Sequence, residues 1–98
     1  MQKDLVGIVL DPVFSPSNGF AVMIGCRGDD GCKVYWITLH QLKAANLPAY
    51  RGTGLLYDPV SNTVSQTDRN TEEENKEIKK WAADRIGIVF NGYSQHGL

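Results

Sequence analysis

Neither sign of charge dominates this chain: ten Lys and Arg stand against eleven Asp and Glu, a formal net charge of −1. Residues 1–60 balance Lys3, Arg27, Lys33, Lys43 and Arg51 against Asp4, Asp11, Asp29, Asp30 and Asp58. A basic excess supplies most non-specific affinity for nucleic acid, so binding of that kind has to rest on stacking and on locally placed cations. No apolar run approaches the ~20 residues that cross a bilayer, so no membrane partner is expected. Met1-Gln2-Lys3-Asp4 leads into only a few apolar residues before Asp11-Pro12, too little for a secretory signal, and a cytoplasmic address is the default expectation. Cysteine is limited to Cys26 and Cys32, and histidine to His40 and His96. A structural zinc site takes four ligands, which these residues do not supply, so no metal site is expected. Neither histidine stands beside a serine or cysteine motif with a third member. Arg51-Gly52-Thr53-Gly54 lacks the lysine-serine ending of a phosphate-cradling loop. No catalytic set and no cofactor motif emerge, and the chain is expected not to be an enzyme.

What is present reads as one globular domain over residues 1–98, long enough for a single modest core. Leu5 to Leu10 is rich in β-branched residues and reads as a first strand ending at Asp11-Pro12. Phe20–Cys26 and Cys32–Leu39 read as an antiparallel hairpin across the polar turn from Arg27 to Gly31. A short helix from His40 to Asn46 stops at Pro48. Leu55-Leu56-Tyr57 suggests a fourth strand and Thr63 to Gln66 a fifth, followed by a polar linker over 66–70. Thr71-Glu72-Glu73-Glu74 has the form of a capping box, and Ile78, Trp81, Ala82 and Ile86 make one apolar stripe of a helix stopped by Gly87. Ile88-Val89-Phe90 reads as a last short strand. The fold class is α+β: residues 1–66 a small antiparallel β-barrel (OB-like or SH3-like) or a curled sheet, and 71–86 a C-terminal amphipathic helix packed on it.

The hairpin is the most informative stretch. With Cys26 opposite Cys32, positions summing to 58 face each other, and strand alternation puts Phe20, Val22, Ile24, Val34, Trp36 and Thr38 on one side. The other side carries Ala21, Met23 and Gly25 with Lys33, Tyr35, Ile37 and Leu39, so both sides are apolar enough for burial. One side packs the core, and the other is covered by the Trp81 helix, by a partner or by stacked bases. Gly7-Ile8-Val9, Asn18-Gly19-Phe20-Ala21-Val22-Met23 and Tyr35-Trp36-Ile37-Thr38-Leu39-His40-Gln41-Leu42 together resemble the opening of a cold-shock or related OB-fold domain, over about residues 5–60. The resemblance implies a five-stranded small barrel and a nucleic-acid platform on which Phe20 and Trp36 stack bases. The chain departs from that family at Val22, where another exposed aromatic stands, at Thr38, usually histidine, and at Asn18, typically lysine.

Two functions are expected from these residues. The first is non-enzymatic single-stranded nucleic-acid binding, with Phe20, Trp36 and Thr38 on the platform and Lys33, Arg27 and Lys43 near phosphates. The second is a small protein-interaction module or inhibitor, of the accessory kind that phages and mobile elements encode. It uses the same aromatic face, or the helix through Ile78 and Trp81, to bind and modulate a larger protein. Cys26 and Cys32, facing each other across the turn, are candidates for a thiol pair; two small half-buried free thiols are the alternative.

Overall fold

The computed structural model describes residues 4–15 and 19–90, with side chains for 4–12 and 21–90. Five antiparallel strands and two helices follow in the order β1 (Leu5–Ser15), β2 (Gly19–Gly28), β3 (Gly31–Thr38), α1 (Leu39–Ala44), β4 (Gly54–Asp58), β5 (Thr63–Ser65) and α2 (Glu72–Arg85). In the sheet the strands lie β3-β2-β1-β4-β5. The sheet does not close into a barrel. β3 and β5 remain its two edges, so the barrel expectation is corrected to a sheet that is at most curled.

Both faces of this sheet are apolar, and each is covered by a different part of the chain. Val9, Val22, Ile24, Cys26, Ile37, Leu55, Tyr57 and Val64 form one face, against Leu42 of α1 and the Ala45–Ala49 segment. Val6, Ile8, Leu10 and Leu56 form the other, against Ile78 and Ala82 of α2 and against Ile88 and Phe90. The period-2 alternation of side chains delivers neighbours such as Val9 and Leu10 to opposite cores. Two glycines permit this layering. A Cβ on Gly7 would meet Cys26 Sγ at 2.7 Å and the Gly25 carbonyl oxygen at 2.9 Å. A Cβ on Gly25 would meet Leu10 at 3.0 Å, Ile78 at 3.2 Å and Trp81 at 3.3 Å, so its absence lets α2 lie close to β2.

Three local expectations are revised. β1 runs on through Asp11-Pro12 to Ser15, with a bulge that leaves Leu10 unpaired between Val9 and Asp11. β4 pairs with β1 only over Leu5–Ile8, so Pro12 sits where that side of β1 has no strand neighbour, a position at which proline is tolerated. Thr71 precedes α2 but makes no side-chain cap; Asn70 Oδ1 instead accepts from the Glu72 N–H at 3.0 Å. The capping box forms on α1, where Thr38 Oγ1 accepts from the Gln41 N–H at 3.1 Å and Gln41 Oε1 accepts from the Thr38 N–H at 2.8 Å. Residues 88–90 belong to no strand; Ile88 and Phe90 are buried in the cluster on the α2 side of the sheet. The stop at Gly87 stands: its φ is 81° and its N–H reaches back to the Ala82 carbonyl at 2.9 Å.

Overpacking of a tight core costs about 1–3 kcal/mol. Gly25→Ala meets only side-chain atoms and should fall in that range, whereas Gly7→Ala meets a backbone oxygen and should cost more. Urea unfolding of the two variants checks this; a Gly7→Ala midpoint equal to wild type contradicts it.

Candidate functional site

The geometry of the β2–β3 hairpin follows from a turn shorter than the sequence suggested. Gly28 pairs with Gly31, leaving Asp29 and Asp30 as a two-residue turn, and Gly31 holds a φ of 110° that L side chains rarely adopt. Facing positions therefore sum to 59: Val22 lies opposite Ile37, Met23 opposite Trp36, Ile24 opposite Tyr35 and Arg27 opposite Cys32. A one-residue change of register moves a whole strand's side chains to the other face. This corrects the expected pairing. Trp36 lies across from Met23, on the α2 side of the sheet, and not beside Val22.

The expected binding set is accordingly dispersed. The side chain of Phe20 lies outside the described residues. Trp36 is 53% exposed. Arg27, on the same face, donates from Nε to Glu77 Oε1 of α2 at 2.9 Å. Lys33 pairs with Cys26 and so belongs to the opposite face, beside Tyr35 and the Asp29-Asp30 turn. Thr38 is engaged as the α1 cap, and Lys43 stands in the last turn of α1. Ile78 is fully buried and Trp81 half-buried against the sheet, so that stripe of α2 packs within the chain. The facing Cys26–Cys32 pair is also corrected: both are free thiols, and the register sends Cys26 to the α1 core and Cys32 to the α2 side.

What remains together is a surface along β3. α2 covers β1 and β2 but makes no comparable contact with β3. Cys32 and Val34 are therefore half-buried and Trp36 exposed, with half-buried Met23 beside it. The backbone adds a second property. Gly28 and Gly31 close the turn as the hydrogen-bonded pair, so Lys33, Tyr35 and Ile37 bond to β2 and alternate residues point away. The N–H and C=O groups of Cys32, Val34 and Trp36 then face the free edge, and the Thr38 N–H follows this rule by going to Gln41. No strand lies beyond β3 among the described residues. The sequence reading missed this edge. Its one signal was the Gly-Asp-Asp-Gly turn, whose bracketing glycines permit a two-residue reversal.

Other features are less organised. A cleft of about 540 Å³ at the start of α2 is lined by Gly54, Arg69, Thr71, Asn75, Lys76 and Lys79, with Asn75 Oδ1 buried and without a hydrogen-bond partner. Tyr50 is exposed beside Arg51, which is held by Asp11 at 3.2 Å and by the Val89 carbonyl at 3.3 Å. Among the described residues no three His, Cys, Asp or Glu side chains group closely enough to hold a metal ion, and no helix is long and apolar enough to cross a membrane. Comparison of the chain with protein-family models, curated proteins and solved structures finds no match.

The thiols report their surroundings. Burial pushes the Cys26 thiol up to about 12, with a smaller push from Cys32. Burial also raises Cys32, helped by the Glu77 carboxylate and opposed by the Arg27 guanidinium. Below the ordinary thiol value of 9.0 both the folded and unfolded chains keep Cys26 protonated, and its contribution to stability is complete. As pH rises beyond that the unfolded chain loses its proton first, so stability falls progressively toward about 12. Urea midpoints at about pH 8 and about pH 10.5 should therefore fall less steeply in Cys26→Ala than in wild type; equal slopes contradict the assignment.

Proposed function

We propose that this chain is a non-enzymatic protein-interaction module that receives an extended partner segment along the free edge of β3, with Trp36 as its apolar anchor. The single observation behind this reading is the coincidence of two features on one strand. Among the described residues the outward N–H and C=O groups of Cys32, Val34 and Trp36 have no strand neighbour, and the same three residues carry an apolar row that α2 covers only in part. Strand addition draws affinity from main-chain hydrogen bonds and specificity from alternate side chains. The partner segment is thus extended and apolar at every second residue on the α2 side.

The scaffold is proposed to be an open OB-like one. What supports this is the strand order β3-β2-β1-β4-β5 with a short helix between β3 and β4, although β3 and β5 do not join. An OB-like scaffold alone does not select nucleic acid as the ligand. Stacking of bases on Trp36 would need cations beside it. Arg27 is held by Glu77, Lys33 belongs to the other face and Lys43 to α1, so the three expected cations do not gather beside Trp36, and a protein partner is favoured.

Val34→Pro tests the proposal. It removes an N–H that points outward and leaves the bonds to β2 intact, as edge prolines do. Tagged wild-type chain, incubated with a nuclease-treated lysate of cells that also express the untagged chain, should retain a stoichiometric protein partner, another protein or the untagged chain, that Val34→Pro loses, and Trp36→Ala should weaken capture by at least about tenfold, the weight of an aromatic anchor. Equal capture by Val34→Pro, or tight salt-sensitive binding of single-stranded DNA quenched at Trp36, contradicts it.

A further inference from the structure

The partner strand that this edge requires is extended, apolar at alternate positions on one face and free of clashing charge. β3 itself has that pattern. The geometry points to a second copy of this chain as the occupant, paired β3 to β3 about a twofold axis through Val34, an inference that rests on the strand-edge reading above.

A twofold axis in an antiparallel pair passes through a residue that either bonds its own equivalent or faces it unbonded, and the axis at Val34 is the one that pairs Cys32, Val34 and Trp36 wholly among themselves. Val34 is the central one of the three outward residues. Placing it opposite its copy puts Trp36 opposite the second copy's Cys32, and Cys32 opposite the second Trp36. The α2 faces of the two sheets then continue into each other, and the ten strands form one sheet. Cys32, Val34 and Trp36 of both copies make a single apolar row between the two α2 helices, covering the indole that is 53% exposed in one chain. On the other face Lys33 meets Tyr35 of the second copy, so no like charges oppose each other along the strands. The Asp29-Asp30 turn of one copy comes beside the Thr38–Leu39 end of the other, where exposed Lys43 of α1 supplies the opposite charge. β3 also lacks the devices by which edge strands avoid pairing: it has no proline and no bulge, and Lys33 is its one charged residue. β5, the other edge, is only three residues long and offers no comparable template.

Sedimentation equilibrium of the purified full chain tests this, with Val34→Pro and Val34→Lys as variants; the second places two lysines on the axis. Wild type should sediment at twice the mass of one chain at micromolar concentration. Both variants should sediment as monomers, with far-UV circular dichroism unchanged. In a Cys32→Ser background, Val34→Cys should oxidise to a disulfide-linked dimer. A wild-type monomer at all concentrations overturns the inference. In that case loss of lysate capture by Val34→Pro leaves the strand-edge reading standing with another protein as occupant, whereas retained capture removes both. A dimer equally populated in wild type, Val34→Pro and Val34→Lys also overturns the inference, since its contact then lies elsewhere.

Discussion

The register of the β2–β3 hairpin is the constraint on which the rest of this structure depends. Two residues, Asp29 and Asp30, make the reversal, and the glycines on either side pair with each other. A loop one residue longer on one strand would exchange the faces of β3 and carry Trp36 toward the Val22 and Ile24 core. In the observed register Tyr35 and Ile37 enter that core, while Cys32, Val34 and Trp36 lie on the α2 side, where α2 leaves Cys32 and Val34 half-buried and Trp36 exposed. The same two-residue turn decides which amides of β3 bond to β2 and which face outward. The exposed indole and the unpaired backbone of the edge are thus two consequences of one local choice.

The layering of the molecule explains why α2 leaves that strand uncovered. Gly25 admits Ile78 and Trp81 against β2, and Leu10 meets them from β1, so the helix is centred over the first two strands. The Arg27–Glu77 pair fastens the side of α2 nearer the hairpin turn. Both partners are substantially exposed, and such pairs contribute at most about 1 kcal/mol. Burial rather than charge therefore fixes the helix. On the opposite face α1 and the segment after it lie over the inner side chains of β2 and β3 and touch β5, but do not join the two edges.

Much of this was legible in the chain. The strands and both helices are punctuated by Gly, Pro and Asn, and α2 lies within one residue of the span drawn from Thr71 and Gly87. The apolar character of both hairpin faces correctly signalled a sheet buried on two sides. Turn length was not legible, because Gly28 and Gly31 fit a two-residue turn as well as a wider polar loop, and the error passed to every facing pair. The partners of individual polar residues were equally hidden: Arg27 finds Glu77 fifty positions away, and Asn70 caps α2 in place of Thr71. Such contacts depend on how helix and sheet meet, which local composition does not encode. The open edge of β3 is a property of strand order, and its one local signal is the turn bracketed by Gly28 and Gly31.

The function proposed above moves the binding surface from an aromatic platform to a strand edge. Phosphate recognition needs cations gathered beside the stacking ring, and the three expected there, Arg27, Lys33 and Lys43, are dispersed among a salt bridge, the opposite face and α1. Main-chain recognition needs only an ordered row of outward donors and acceptors, which β3 supplies.

Amide hydrogen exchange along β3, followed residue by residue by NMR in dilute solution, tests this account most directly. The account predicts an alternation: fast exchange at Cys32, Val34 and Trp36 and slow exchange at Lys33, Tyr35 and Ile37, with the fast set slowing when a partner strand adds. Protection at Val34 and Trp36 equal to that at Tyr35 in dilute monomer, or the alternation in the opposite phase, would contradict both the register and the free edge.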